Sequence, residues 1–252
     1  MSAQAIYVLW LRDMKWFLRA KSRIISMIVM PFLWLAIIGM GLGEVTTLPG
    51  GESYINFLAP GIVGMAILFG ATMSGISVLW DKQFGFMKEI LVAPVSRISI
   101  MLGKVFGGTT TSIIQGLLLL LVAGLIGAKM PGFAGFFLVL LFMTILAIGF
   151  VSLGLAIASR IEDPIAFPLA VNFLIMPLFF TSGAIFPLST APGWLKLIAH
   201  INPVTYGVDG LRGAIEVSGY PEFPLWLDFA VLAIFSLAMV LLGAYLFKKM
   251  KA

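Results

Sequence analysis

Residues 55–80 read INFLAPGIVGMAILFGATMSGISVLW, without one Asp, Glu, Lys or Arg. A transmembrane helix needs roughly 20 mainly apolar residues, so this stretch is long enough to cross a bilayer. Working outward, five more segments qualify: Ile24–Gly43, Val105–Ala128, Phe133–Ala158, Ile165–Phe186 and Leu225–Phe247. Asp228, near the start of the last, is the one acid or base in all of them. Aromatic residues stand at several ends (Tyr54, Trp80, Trp226, Tyr245), as in an interfacial belt. The whole chain agrees. Its 252 residues are 61% hydrophobic and 11% charged, against about 45–50% and 25% in soluble domains. A water-soluble fold and a disordered chain are both excluded, and an all-α integral membrane protein with six transmembrane helices is expected.

The basic residues set the orientation. Of the 16 Lys and Arg, all but Lys129, Lys196 and Arg212 fall on one side of this topology. The positive-inside rule puts that side, with both termini, in the cytoplasm of a multi-pass cell-membrane protein. The leader before the first span is charged and the span is too long for a signal-peptide core, so no cleaved signal is expected.

That leader reads as an amphipathic interfacial helix. Ile6, Trp10, Met14 and Phe17 recur at helical spacing, with Arg12, Lys15, Arg19 and Arg23 on the opposite face toward anionic headgroups. The plainer reading is a basic flank that only fixes topology. The connection 81–104 is the longest cytoplasmic one. Phe86, Glu89, Ile90 and Ala93 share a helical face there and Pro94 ends the turn. A partner-docking element has this form, and so does a plain amphipathic connector. The outer segment 187–224 holds five prolines and two short helical patterns, which dip into the outer leaflet or cap the bundle. In the second, Asp209, Arg212 and Glu216 are spaced to pair along one face. Small residues recur at helix-packing spacing in Gly39/Gly43, Ala71/Gly75, Gly103/Gly107 and Gly154/Ala158. Pro168 and Pro177 are placed to kink the fifth span.

The chemistry is mostly one of exclusions. There is no Cys, and His200 is the only His, which reads as a polar interfacial residue. Ser77 lacks the second Gly of a nucleophile elbow. No acid–base pair lies within a span, so an intramembrane hydrolase is not expected and an internal proton relay is missing. Backbone carbonyls could still hold Na⁺ at a broken helix. The phosphate-cradling motif G-x-x-x-x-G-K-[ST] is absent, since Val105 follows Gly103-Lys104. If ATP drives the protein, another subunit supplies it, and the 81–97 loop is the best docking surface.

Several short motifs, in order, then point to a family. Phe57-Leu58-Ala59-Pro60-Gly61 opens the second span. Gly85, Glu89 and Leu91 follow, then Ala93-Pro94-Val95-Ser96-Arg97 and Gly103-Lys104. Asn202-Pro203-Val204-Thr205-Tyr206 stands in the outer segment, with Leu211-Arg212 after it. Together they resemble the type 2 ATP-binding-cassette (ABC) exporter permeases, which include daunorubicin-resistance-like drug exporters and nodulation-factor and capsule polysaccharide exporters. Ala93 departs from the Thr-Pro of many relatives.

The resemblance implies a single permease domain over 1–252. It would be a homodimer, or pair with a similar permease, on two ATPase subunits. ATP and Mg would sit in the ATPase, with no cofactor or metal in this chain. Membrane lipids are expected partners and nucleic acid is not. The leader would be the connecting helix. The 81–104 connection would carry a cytoplasmic coupling helix, with Phe84, Gly85, Phe86, Lys88, Glu89, Pro94 and Arg97 at the ATPase. The outer segment would be a re-entrant helical pair containing Asn202, Pro203, Tyr206, Asp209 and Arg212. Trp34, Phe69, Phe173, Phe179 and Phe180 are candidates for an uncharged substrate path between permease halves. The alternative for each is core packing or a lipid-facing site. Drug or lipid export is the first reading and polysaccharide or glycolipid export the second. A non-transporting scaffold for a soluble partner, or a channel or ion-coupled carrier, are readings of a different class.

Overall fold

The computed structural model describes residues 2–43, 53–92, 94–217 and 221–250. Ala93 and Lys251, used above, lie outside them, as does the side chain of Arg23. The described chain is helical throughout. Its elements are α1 (Ala3–Arg19), α2 (Lys21–Gly43), α3 (Tyr54–Met73), α4 (Ile76–Gln83), α5 (Phe86–Val92) and α6 (Arg97–Leu125). They continue with α7 (Phe133–Ala158), α8 (Ala166–Phe180), a 3-10 turn at Leu188–Thr190, α9 (Gly193–Ile201), α10 (Pro203–Ile215) and α11 (Leu225–Lys248).

Among the described residues, five helical stretches are long and apolar enough to cross a membrane: Ile24–Gly41 within α2, Tyr54–Gln83 across α3 and α4, Arg97–Leu125, Phe133–Ala158 and Leu225–Lys248. The expected sixth, α8, has 15 residues, about 22 Å of helix against a hydrocarbon core of about 30 Å. The sequence after it stops the helix. Ser182 Oγ donates to the Phe179 carbonyl at 2.7 Å, Gly183 turns left-handed at φ 73°, and Pro187 follows.

α3 is the centre of the bundle and is buried along most of its length. α2, α6, α7 and α10 pack around it, and α11 lies along α7. The second span is broken between α3 and α4 where it crosses α7. A Cβ on Gly75 would fall 2.5 Å from the Gly154 carbonyl oxygen, and one on Gly154 would fall 2.2 Å from that of Thr72. Members of two small-residue pairs noted above therefore meet each other, backbone against backbone.

The connection expected over 81–104 is largely helical. α6 begins at Arg97, eight residues before the span was expected, because Ser96 caps it: its Oγ accepts from Ser99 N at 3.2 Å. Asp81 and Lys104, taken as loop charges, thereby sit on helices within two of the membrane-length stretches.

Candidate functional site

One end of the bundle gathers α1, α4, α5 and the start of α6. α1 lies along α6 across a glycine seam. A Cβ on Gly103 would fall 2.8 Å from Leu9 Cβ, and one on Gly107 would fall 2.7 Å from Asp13 Oδ2. Ser2 N donates to Ser99 Oγ at 3.1 Å and pins the helix starts together. Leu9, Met14 and Phe17 are the buried side chains of α1, while Ile6 and Trp10 are half-buried.

This packing encloses four charges. Lys104, with a side chain 1% exposed, places Nζ 2.7 Å from Asp81 Oδ2 and 3.8 Å from Asp13 Oδ1. It also donates to Ser77 Oγ at 3.1 Å. Arg12 Nη2 reaches the same Asp81 oxygen at 2.7 Å and its Nε lies 3.7 Å from Asp13. Arg12 therefore turns toward the protein, not toward headgroups opposite the apolar face as expected. Burial pushes the Asp13 carboxyl above the ordinary carboxylate range, against the pull of Lys104 and Arg12. For Arg12 burial acts to lower the pKa, and the hydrogen bond and charge of Asp81 outweigh it, so the group is held above its usual value. Two cations share one carboxylate, which ties α1, α4 and α6 into a unit.

α5 stands on this unit. Gly85, at φ 81°, makes the left-handed turn into it. Met87 is buried and Ile90 half-buried, while Phe84, Phe86, Lys88, Glu89 and Pro94 face outward. Ile90 therefore belongs to the anchoring face and not to that of Phe86 and Glu89. Arg97 is exposed as well. Its Nη1 donates to the carbonyls of Lys248 at 2.7 Å and Met250 at 2.8 Å, closing the C-terminal end of α11.

Between α2, α3 and α8 runs an apolar hollow of about 390 Å³. Trp34, Phe69, Phe179 and Phe180 line it with several methionines, and Gln115 and Ser26 are its polar side chains. Gln115 is held in place by donating to the Met27 carbonyl at 3.1 Å. Phe173 stands outside the hollow and is 86% exposed on α8.

At the opposite end, the outer-segment residues converge on the turn after α8. Asn202 caps α10 by accepting from Val204 N at 3.0 Å, with Pro203 in the first helical position. Its Nδ2 donates to the Leu178 carbonyl at 2.6 Å. Arg212 was expected to pair with Asp209 and Glu216. Its Nη2 donates to the carbonyls of Gly183 at 2.9 Å and Ala184 at 3.1 Å. Its guanidinium lies 3.8 Å above the Phe57 ring. Asp209 accepts from Glu222 N at 3.0 Å and Phe223 N at 2.9 Å. Burial still pushes its carboxyl up, those hydrogen bonds and Arg212 opposing. Tyr206 donates its hydroxyl to the His200 carbonyl at 2.7 Å. α10 is thus wedged against α3, α7 and α11, while α9 shows Trp194, Leu197 and Ile201 outward.

Sequence reasoning missed the Arg12–Asp13–Asp81–Lys104 cluster. Its signal was the apolar residues on both sides of Lys104, which place the lysine within a helix. Asp228, noted as the exception among the spans, is fully buried in the first turn of α11, and neither carboxylate oxygen has a hydrogen-bond partner among the described residues. No group of His, Asp or Glu among the described residues is placed to hold a metal ion.

A family profile described as "ABC-2 type transporter" matches residues 4–215. The transport permease ycf38 of Cyanophora paradoxa is 30% identical over 204 residues, 78% of this chain and 70% of the relative. The inner membrane transport permease YadH of Escherichia coli K12 is 25% identical over 240 residues, 94% and 92% of the two chains. Nodulation protein J of Rhizobium leguminosarum bv. viciae is 25% identical over 247 residues, 95% and 92%.

Proposed function

From the premise that this chain belongs to the ABC-2 type transporter family, as a membrane permease subunit that works with an ABC ATPase, we propose that it is the permease of an exporter for amphipathic, drug-like or lipid molecules. The observation that carries this reading is the hollow between α2, α3 and α8, which is walled by aromatic and methionine side chains and, among the described residues, lined by no acid or base. Apolar walls with few convergent polar groups suit an amphipathic ligand, and Gln115 offers one fixed polar contact.

α2 and α8 flank the hollow, and both present long apolar faces outward: Ile25, Val29 and Ile37 on one, Leu169, Phe173 and Met176 on the other. A second permease copy meets the chain along these faces, so that the hollow becomes part of a path between halves. In such a pair α8 completes the sixth crossing together with the turn held by Asn202 and Arg212. The excess of Lys and Arg at the α1–α5 end supports a cytoplasmic position for that end. There α5 and the turn before it, with Phe84, Phe86, Lys88 and Glu89 exposed on a charge-tied base, seat in one of two ATPase subunits. ATP-driven closure of the ATPase pair moves α5 and shifts the permease halves as rigid bodies.

The test is ATP hydrolysis by the permease–ATPase complex in lipid nanodiscs, across drug, lipid and polysaccharide candidates. Stimulation by an apolar amphiphile is the expected result. A stable complex whose hydrolysis ignores all of them contradicts transport and fits a scaffold. Stimulation by polysaccharide alone contradicts the substrate class.

A further inference from the structure

Between α1, α4 and α5 lies a second hollow, of about 440 Å³. We propose that it binds the phosphate headgroup of an anionic phospholipid of the cytoplasmic leaflet. The leaflet rests on the orientation proposed above.

Charge comes first. Arg12, Lys15 and Arg19, at i, i+3 and i+7 of α1, all line the hollow and so share one helical face. Arg12 is matched by Asp81 at 2.7 Å. Lys15 and Arg19 have no hydrogen-bond or ion-pair partner among the described residues. Asp13 and Asp81 also line the hollow, but Arg12 and Lys104 already pair with them, so Lys15 and Arg19 leave it a surplus of positive charge.

The walls come second. Trp16, Trp80 and Phe86 line the same space, and all three are exposed. Indole rings favour the headgroup level of a bilayer, where one side is apolar and the other wet. Next to them α1 shows Tyr7, Val8 and Leu18 outward, the surface that an interfacial helix gives to the acyl boundary. A phosphate beside Lys15 and Arg19, with its glycerol and upper chain against the aromatic rings, satisfies both halves of the site. An acidic protein surface would satisfy only the charges. Phe86 opens α5, so a lipid seated here touches the segment proposed to meet the ATPase.

The test is native mass spectrometry of the permease–ATPase complex released from nanodiscs of equal phosphatidylglycerol and phosphatidylcholine. The wild-type complex should retain phosphatidylglycerol in preference. The double substitution Lys15→Gln/Arg19→Gln should weaken that retention about 25-fold, each base near an anionic surface being worth about fivefold. Lys15→Arg should preserve it. Equal retention of the two lipids by the wild type overturns the proposal, as does unchanged preference in the double variant. Loss of the ATPase from that variant with lipid retention intact also overturns it, because the face would then dock protein. The orientation is read separately, with Lys15→Cys in the cysteine-free chain and a membrane-impermeant maleimide. Labelling in inside-out vesicles alone is expected. Labelling from the other side overturns the leaflet assignment even where phosphatidylglycerol is still retained.

Discussion

Lys104 Nζ lies 2.7 Å from Asp81 Oδ2, and the lysine side chain is 1% exposed. The two residues are 23 positions apart and come from different helices, so the contact forms only when α4 and α6 pack. Asp81 also holds Arg12 at 2.7 Å, whereas Lys104 has Asp13 only at 3.8 Å. The pair is therefore asymmetric. Asp81→Asn leaves the buried lysine only Ser77 and the more distant Asp13 and should cost about 3 kcal/mol, the lower end of the range for a broken buried pair. Lys104→Met leaves Asp81 with Arg12 and should cost clearly less. The double substitution should recover part of the loss, because the buried lysine charge goes with its carboxylate while the more exposed Arg12 keeps Asp13. Thermal unfolding of the three variants in one detergent checks the order. Equal losses for the two single variants would contradict it.

Gly61 is fixed by the turn after α8. A Cβ there would fall 2.3 Å from the Ala184 carbonyl oxygen, which is backbone and cannot swing away. Gly61→Ala should destabilise at or beyond the upper end of the roughly 1–3 kcal/mol typical of overpacking. Gly41→Ala, with nothing within 4 Å of the added carbon, should be neutral or slightly stabilising. Unfolding midpoints of the two variants test the contrast.

These two sites show what a linear reading sees and what it does not. Apolar runs over 55–80 and 133–158 declare their helices by length alone. Small pairs such as Gly103/Gly107 and Asn202-Pro203 before α10 carry local chemistry that the fold then uses. Asp81 and Lys104 looked like loop charges because each closes or opens an apolar run. Only tertiary packing puts them in one buried cluster. The length of α8 was likewise hidden, since residues 181–186 are apolar enough to continue a span while Ser182 and Gly183 turn the backbone. Arg212 was read against charges on its own helix, but its partners are carbonyls from another part of the chain.

Arg97 sits beside the segment proposed to meet the ATPase, yet its hydrogen bonds go to the end of α11. Arg97→Ala should lower stability by about 1–2 kcal/mol, the scale of a charged hydrogen bond partly replaced by water. It should leave ATPase association intact. Thermal unfolding and co-purification separate the two effects. Loss of the ATPase without loss of stability would return Arg97 to the docking surface.

Trp34 and Phe69 line the apolar hollow, and Phe173 does not. Trp34→Ala and Phe69→Ala should each raise the substrate concentration for half-maximal ATPase stimulation about tenfold, equivalent to about 1.4 kcal/mol. Phe173→Ala should leave it unchanged. Titration of stimulated hydrolysis against substrate is the measurement, and an equal effect of all three would place the path elsewhere.

α5 is the element proposed to pass ATPase motion to the permease, and Glu89 is its exposed acid. Glu89→Lys reverses a charge in the proposed docking contact, replacing attraction with repulsion, while an exposed position keeps the effect on folding within about 0.5 kcal/mol. The decisive measurement is substrate-stimulated ATP hydrolysis by the reconstituted complex with and without this substitution. Normal membrane insertion and loss of stimulation are expected in the variant. Full stimulation by Glu89→Lys would contradict that role for α5.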